Sequence, residues 1–158
     1  MPSETSDKRT AGWREWVALP DLGVDAIKVK LDTGARTSAL HAFDVETFRR
    51  RGNEHVRFSV HPLQRDDATR VACEARVVDR RWVTNPGGRR EQRLIIETAL
   101  VLGGESWPIE LCLTDRDEMG MRMLLGRTAM RDRLTVDPAR SFVLGKRRRK
   151  KRVLKAAE

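Results

Sequence analysis

The strongest constraint on this chain is a rhythm: short runs in which apolar and polar residues alternate, each cut off by Gly, Pro, Asn or Asp. Ala26-Ile27-Lys28-Val29-Lys30-Leu31 alternates from Ile27 to Leu31, which predicts a half-buried strand running straight into Asp32. Val56-Arg57-Phe58-Ser59-Val60 repeats the pattern and stops before Pro62. Trp16-Val17-Ala18-Leu19 is a short apolar run that stops at Pro20, and Met123-Leu124-Leu125 is another, ended by Gly126. Further strands are expected across 71–78, 93–102 and 107–114, the last two joined by the turn signal Gly103-Gly104-Glu105-Ser106. Leu134-Thr135-Val136 and Ser141-Phe142-Val143-Leu144 read as closing strands, and 127–133 as one or two helical turns. A half-buried strand must cover its apolar face with another layer, so this series implies an all-β sandwich or closed barrel with one short helix.

Length and charge narrow the organisation. The chain has 158 residues, enough for a single domain with one modest core. No apolar run approaches the roughly 18 residues that would span a bilayer, and Met1 to Thr10 lacks the apolar segment of a signal peptide. The chain therefore reads as cytoplasmic and membrane-free, with residues 1–11 a disordered tail. The net charge of +9 is concentrated at the other end. Residues 146–158 hold eight Lys or Arg and one acid, which leaves only +2 on the rest. Residues 12–145 are thus a near-neutral domain followed by a basic, disordered tail. Three readings of that tail stay open: contact of residues 146–155 with ribosomal or other RNA, attraction of acidic peptides, or solubility. Cys73 and Cys112 each sit in an apolar alternating run and are expected as buried free thiols.

The chemistry-bearing feature is Asp32-Thr33-Gly34-Ala35 at the end of the predicted strand. An Asp in that position can hold a proton or polarise water. Thr33 offers a hydroxyl to lock the loop, Gly34 permits close backbone approach, and Ala35 keeps the floor of a site small. The same tripeptide also suits an ordinary strand-to-turn exit. One carboxylate cannot act as base and acid together in amide hydrolysis, whereas two that share a proton can. Only one Asp-Thr-Gly is present, so a catalytic reading requires a second copy of the chain across a two-fold axis.

Lys30 to Leu40 resembles the active-site loop of retropepsins. Met123-Leu124-Leu125-Gly126-Arg127 resembles their second signature, two aliphatics and a Gly before a short helix. The polar arm 78–93, tipped by Asn85-Pro86-Gly87-Gly88, stands where retropepsins carry a flap. The stretch from about Gly12 to Gly145 is similar to small bacterial proteins catalogued as ATP-dependent zinc proteases and better described as retropepsin-like endopeptidases. Gly12-Trp13-Arg14-Glu15-Trp16-Val17, Trp107-Pro108-Ile109-Glu110 and Arg127-Thr128 also match. Some relatives are linked to the ligase that adds glutamate tails to a small-subunit ribosomal protein, and trim those tails. The resemblance implies a single-domain retropepsin-like barrel acting as a homodimeric aspartic endopeptidase. Its catalytic residues would be Asp32, Thr33 and Gly34. Ala35, Arg36, Asn85, Gly87, Gly88 and Arg127 would bind an acidic or glutamate-tailed substrate.

The older family name finds no support in the residues. His41, His55 and His61 are scattered, the cysteines lie 39 positions apart, and Gly145-Lys146 lacks the rest of a phosphate-binding loop. No metal or other cofactor is expected. Arg36 and Arg127 have two open readings, carboxylate recognition in a cleft or ion pairs that tie loops together. Arg80, Arg81, Arg89 and Arg90 flank the arm tip, either to draw in acidic peptides or as solvated surface. His41 stands between pH tuning and a structural role, and the four Trp read as packing residues. Three other functions compete with the protease: a noncatalytic dimerising or regulatory module, an RNA- or ribosome-associated protein acting through its tail, and a metal-dependent hydrolase.

Overall fold

The computed structural model describes residues 8–63, 68–84, 87–115 and 121–145. The basic tail, Asn85 and Pro86 lie outside them. Besides a 3-10 turn at Pro20–Leu22, there are eleven strands and one α-helical turn among the described residues. In chain order they are β1 (Arg9–Gly12), β2 (Arg14–Leu19), β3 (Val24–Leu31), β4 (Ser38–His41), β5 (Phe43–Arg50), β6 (Asn53–Val60), β7 (Val71–Thr84), β8 (Arg90–Leu102), β9 (Glu105–Thr114), β10 (Met123–Leu125), α1 (Arg127–Met130) and β11 (Leu134–Asp137). Among the described residues the fold is all-β with one short α-helix, as the alternation predicts. Among the described residues no helix is long and apolar enough to cross a membrane.

Six strands close on themselves in the order β2-β3-β10-β4-β9-β8, and a pairing of Ala18 with Val101 joins β8 back to β2. Closure leaves these six strands no open edge. The predicted alternation of β3 is realised: Ile27, Val29 and Leu31 face inward with Leu40, Leu111 and Leu125, while Lys28 and Lys30 face out. β7, β6 and β5 continue from β8 as an antiparallel meander. β7 divides its length, pairing with β6 up to Arg76 and with β8 from Val77 onward, with a bulge between Val77 and Asp79. β8 divides too. It pairs with β9 from Ile95 to Leu102, while Arg90–Leu94 pair with β7 only, so a two-stranded arm projects beyond the barrel.

Three readings need correction. Residues 9–11, expected within a disordered tail, form most of β1, which runs parallel to β11 and buries Ala11 completely. Pairing with the far end of the chain orders a segment that carries no local signal of its own. Residues 141–144 do not form a closing strand. Phe142 takes φ = 56°, outside the extended region, and the backbone N–H groups of Val143 and Leu144 donate to the Glu15 carboxylate instead of to a neighbouring strand. The Trp residues are not uniformly packed. Trp107 is buried with its indole N–H donating to the Ala129 carbonyl at 2.9 Å, but Trp82 on the arm is 59% exposed beneath the Arg90 guanidinium.

Glu15 holds the chain ends to the barrel. It is fully buried and also accepts the Gly12 N–H at 2.7 Å, so one carboxylate satisfies three backbone donors, one three residues before it and two 128 and 129 residues after it. Glu15→Ala should strand those donors and lower the urea-unfolding free energy by about 3 kcal/mol or more, with Glu15→Gln falling between the variant and wild type. Both cysteines are free thiols. Burial pushes the Cys73 thiol up to about 11, and burial likewise raises Cys112, partly offset by Arg93. A raised thiol pKa stabilises the fold below the unfolded-state value and loses that contribution as pH rises through the folded one. Stability should therefore decline between about pH 9 and 11. Cys73→Ala should flatten that decline in denaturation series across the window.

Candidate active site

The Asp32 loop is held by a segment some ninety residues away. β10 runs parallel to β3, with Leu125 beside Leu31, and the Asp32 N–H donates to the Leu125 carbonyl at 2.9 Å. The chain after Leu125 then clasps the loop. The Arg127 N–H donates to the Ala35 carbonyl at 2.7 Å, and the Thr128 hydroxyl donates to the Arg36 carbonyl at 2.8 Å. The Arg127 guanidinium donates to the Gly34 carbonyl at 3.1 Å. From the loop side, the buried Ser38 hydroxyl oxygen accepts the Gly126 N–H at 3.0 Å. The two sequence signatures are thus one substructure.

Within the loop, Asp32 Oδ1 accepts the Gly34 N–H at 3.0 Å, which fixes the carboxylate plane. A Cβ at Gly34 would press on that same oxygen at 3.3 Å. The Thr33 hydroxyl is exposed and makes no hydrogen bond among the described residues, so within one chain the loop is held by Ser38, Arg127 and Thr128 rather than by Thr33. Asp32 opens onto a cleft of about 180 Å³. Ala39 and Leu124 form part of its wall, Lys30 stands two positions before Asp32, and Arg93 approaches from the base of the arm. His41 also lines this cleft, with a buried Nδ1 that has no hydrogen-bond partner among the described residues.

The remaining sequence candidates disperse. The Arg127 guanidinium reaches the Gly34 carbonyl of the Asp32 loop, a hydrogen bond rather than either a cleft contact or an ion pair. Arg36 borders a different cleft of about 250 Å³, shared with Arg81, Glu97, Glu110 and Thr128. Gly87 and Gly88 are exposed at the arm tip, Gly88 with φ = 85°. Asn85 lies outside the described residues. Arg80 is ion-paired with Glu54, and Arg81 reaches Asp79 at 3.1 Å and Glu110 at 3.3 Å. Among the described residues no three His, Cys, Asp or Glu side chains converge as a metal site. Sequence reasoning missed Lys30, Ser38 and Arg93. The phase of β3 already put Lys30 on the side of Asp32, since residues two apart on an extended chain share a face.

Gly126 sits where no side chain fits: a Cβ there would lie 2.5 Å from the Thr37 carbonyl oxygen and 2.9 Å from its nitrogen. Gly126→Ala should displace the Asp32 loop and cost about 2 kcal/mol or more of stability. Thermal and urea unfolding check this, with Ala35→Gly as a control that leaves the clasp intact.

The geometry has counterparts. Residues 10–147 match the model of the RimB-like family, described as retropepsin-like aspartic endopeptidase RimB. Over 143 residues, 90% of this chain, the sequence is 48% identical to a Desulfotalea psychrophila protein named "Probable alpha-L-glutamate ligase". It is 51% identical over 138 residues to a protein of the same name from Parasynechococcus marenigrum. The chain spans about a third of the length of these curated relatives, 31% and 30%. A crystal structure of a Legionella pneumophila protein of unknown function matches with a TM-score of 0.72 at 28% identity, covering 86% of this chain and 98% of that one. A family match over nearly the whole described body, joined to the clasped Asp loop, makes this chain a member of the RimB-like family of retropepsin-like aspartic endopeptidases.

Proposed function

We propose that this chain is an aspartic endopeptidase whose site is completed by a second copy of itself, and that it cuts acidic, glutamate-rich peptide tails. The observation that carries this reading is the orientation of Asp32. One carboxylate oxygen is held by the Gly34 N–H, the backbone behind it is tied to Leu125, and the side chain opens on a cleft. Two such loops facing across a symmetry axis would set carboxylates roughly 3 Å apart, close enough that one proton is shared between them. The ionised member would take a proton from water as it attacks the scissile carbonyl. The protonated member would donate to the carbonyl oxygen, then pass its proton to the leaving amine. Catalysis of this kind needs no covalent intermediate.

The substrate class draws on two supports. Curated relatives that contain a stretch like this chain are named as glutamate ligases, and about two thirds of their length lies outside the match. A glutamate-adding unit joined to a hydrolase is the expected layout if the hydrolase trims the same tails, here those of a ribosomal protein. The cleft beside Asp32 is also lined by Lys30, Arg93 and Arg122, a basic setting for carboxylate side chains. Residues 146–155 would add a nonspecific, salt-sensitive attraction to ribosomal RNA.

The ligase name of those relatives favours a second reading, a noncatalytic module that regulates an attached or partner ligase. The two separate on one experiment. Purified protein incubated with a glutamate-tailed peptide should yield shortened products by mass spectrometry. Asp32→Asn should abolish turnover while keeping its thermal transition and its dimeric mass by light scattering. A chelator should leave turnover unchanged. A folded wild type that never shortens the peptide would favour the regulatory module, and a variant as active as wild type would exclude Asp32 as the catalytic group.

A further inference from the structure

We propose that Lys30 is the specificity-determining residue of the Asp32 cleft, a cation that seats a glutamyl side chain of the substrate next to the bond being cut. The inference deepens the proposed endopeptidase reading and rests on it.

Three cationic side chains line the cleft, Lys30, Arg93 and Arg122, and Asp32 is its sole lining carboxylate among the described residues. The second cleft, around Arg36, differs in this respect, since Glu97 and Glu110 offset its two arginines. The three cations are not equivalent. Arg93 already holds Glu91 through two bonds, the shorter 2.7 Å, so much of its charge is answered within the arm. Arg122 is 7% exposed and has interactions of its own. Lys30 is half-exposed and has no hydrogen-bond or ion-pair partner among the described residues. Its charge is therefore the one left for a ligand to neutralise.

Position supports the role. Lys30 precedes Asp32 by two residues on an extended chain, so both side chains leave on the same side of the backbone. Across β10 its register partner is Leu124, another residue of the cleft wall, and the next strand contributes Ala39. Ala39 and Leu124 thus give the cleft a small aliphatic wall, shared by the Lys30 side chain and the Asp32 carboxylate. That arrangement suits a side chain with a short methylene stem and a terminal carboxylate. The stem of Lys30 can lie along the aliphatic wall while its head meets the substrate. The outward face of β3 carries this residue, so changing it leaves the barrel core untouched.

The test compares two peptides, one tailed with Glu and one with the isosteric Gln, on wild type, Lys30→Gln and Lys30→Arg. Both kcat/KM and, in the Asp32→Asn background, equilibrium binding by fluorescence anisotropy are read. Loss of one charge-assisted contact should cut the Glu peptide by about tenfold or more in Lys30→Gln, leave the Gln peptide within about twofold, and be restored by Lys30→Arg. Equal Glu-over-Gln discrimination in wild type and Lys30→Gln would overturn the proposal, as would a wild type that binds both peptides alike. Discrimination that depends on Lys30 in binding, without turnover by wild type, would uphold Lys30 and sink the endopeptidase reading instead. Unchanged thermal transitions in the variants exclude misfolding as the cause.

Discussion

The parallel pairing of β10 with β3 is the constraint on which the site depends. The three residues of β10 bury Met123 and Leu125 in the core, and they fix the height at which β3 ends and hence where Asp32 emerges. Continuing the chain past Leu125 into Gly126 and α1 then supplies donors for three consecutive carbonyls of the loop, those of Gly34, Ala35 and Arg36. A loop with exposed residues at Thr33, Gly34, Arg36 and Thr37 would otherwise have many conformations. The backbone and side-chain donors of Arg127 and Thr128 impose a single one and leave the Thr33 side chain unengaged.

The contact between distant segments also explains the shape of the molecule. β3 and β10 are neighbours, as are β4 and β9, and in both pairs the strands run parallel. Parallel neighbours cannot be joined by a tight turn. The intervening chain must travel, and here it travels as the β5–β6–β7 meander and the arm before returning as β9. The excursion carries Arg93 back to the cleft and Trp107 to the underside of α1. The accessory parts of the fold are consequences of the connection the site demands.

How far the sequence announced this varies from residue to residue. The strand ending at Asp32 was legible because its alternation is strict and its turn chemistry abrupt, and Met123-Leu124-Leu125-Gly126 was legible because a short apolar run stopped by Gly has few other uses. β5 went unread: Phe43, Val45 and Thr47 alternate with Asp44 and Glu46, but its residues are almost all exposed, so the alternation marks no core face, and the strand forms by pairing with β6. Glu15 is a case of the opposite kind, a polar residue that the fold buries. In Arg14-Glu15-Trp16-Val17 the Trp suggests the inward phase, yet the inward positions are Glu15, Val17 and Leu19. The inversion arises from tertiary demand, because three backbone donors at the chain ends need an acceptor. The free charge of Lys30 was visible only once the pairings of Arg80, Arg81 and Arg93 had set the other candidates aside.

The divided pairing of β8 sets the mechanics of the arm. Beyond Ile95 the arm is a ribbon two strands wide, and such ribbons have little stability by themselves. Ion pairs of Arg80 with Glu54 and Arg81 with Glu110 grip it near its root, so bending concentrates outside those anchors. The ribbon is a cantilever: a bend beyond those anchors is decoupled from the six closed strands and from the carboxylate they carry.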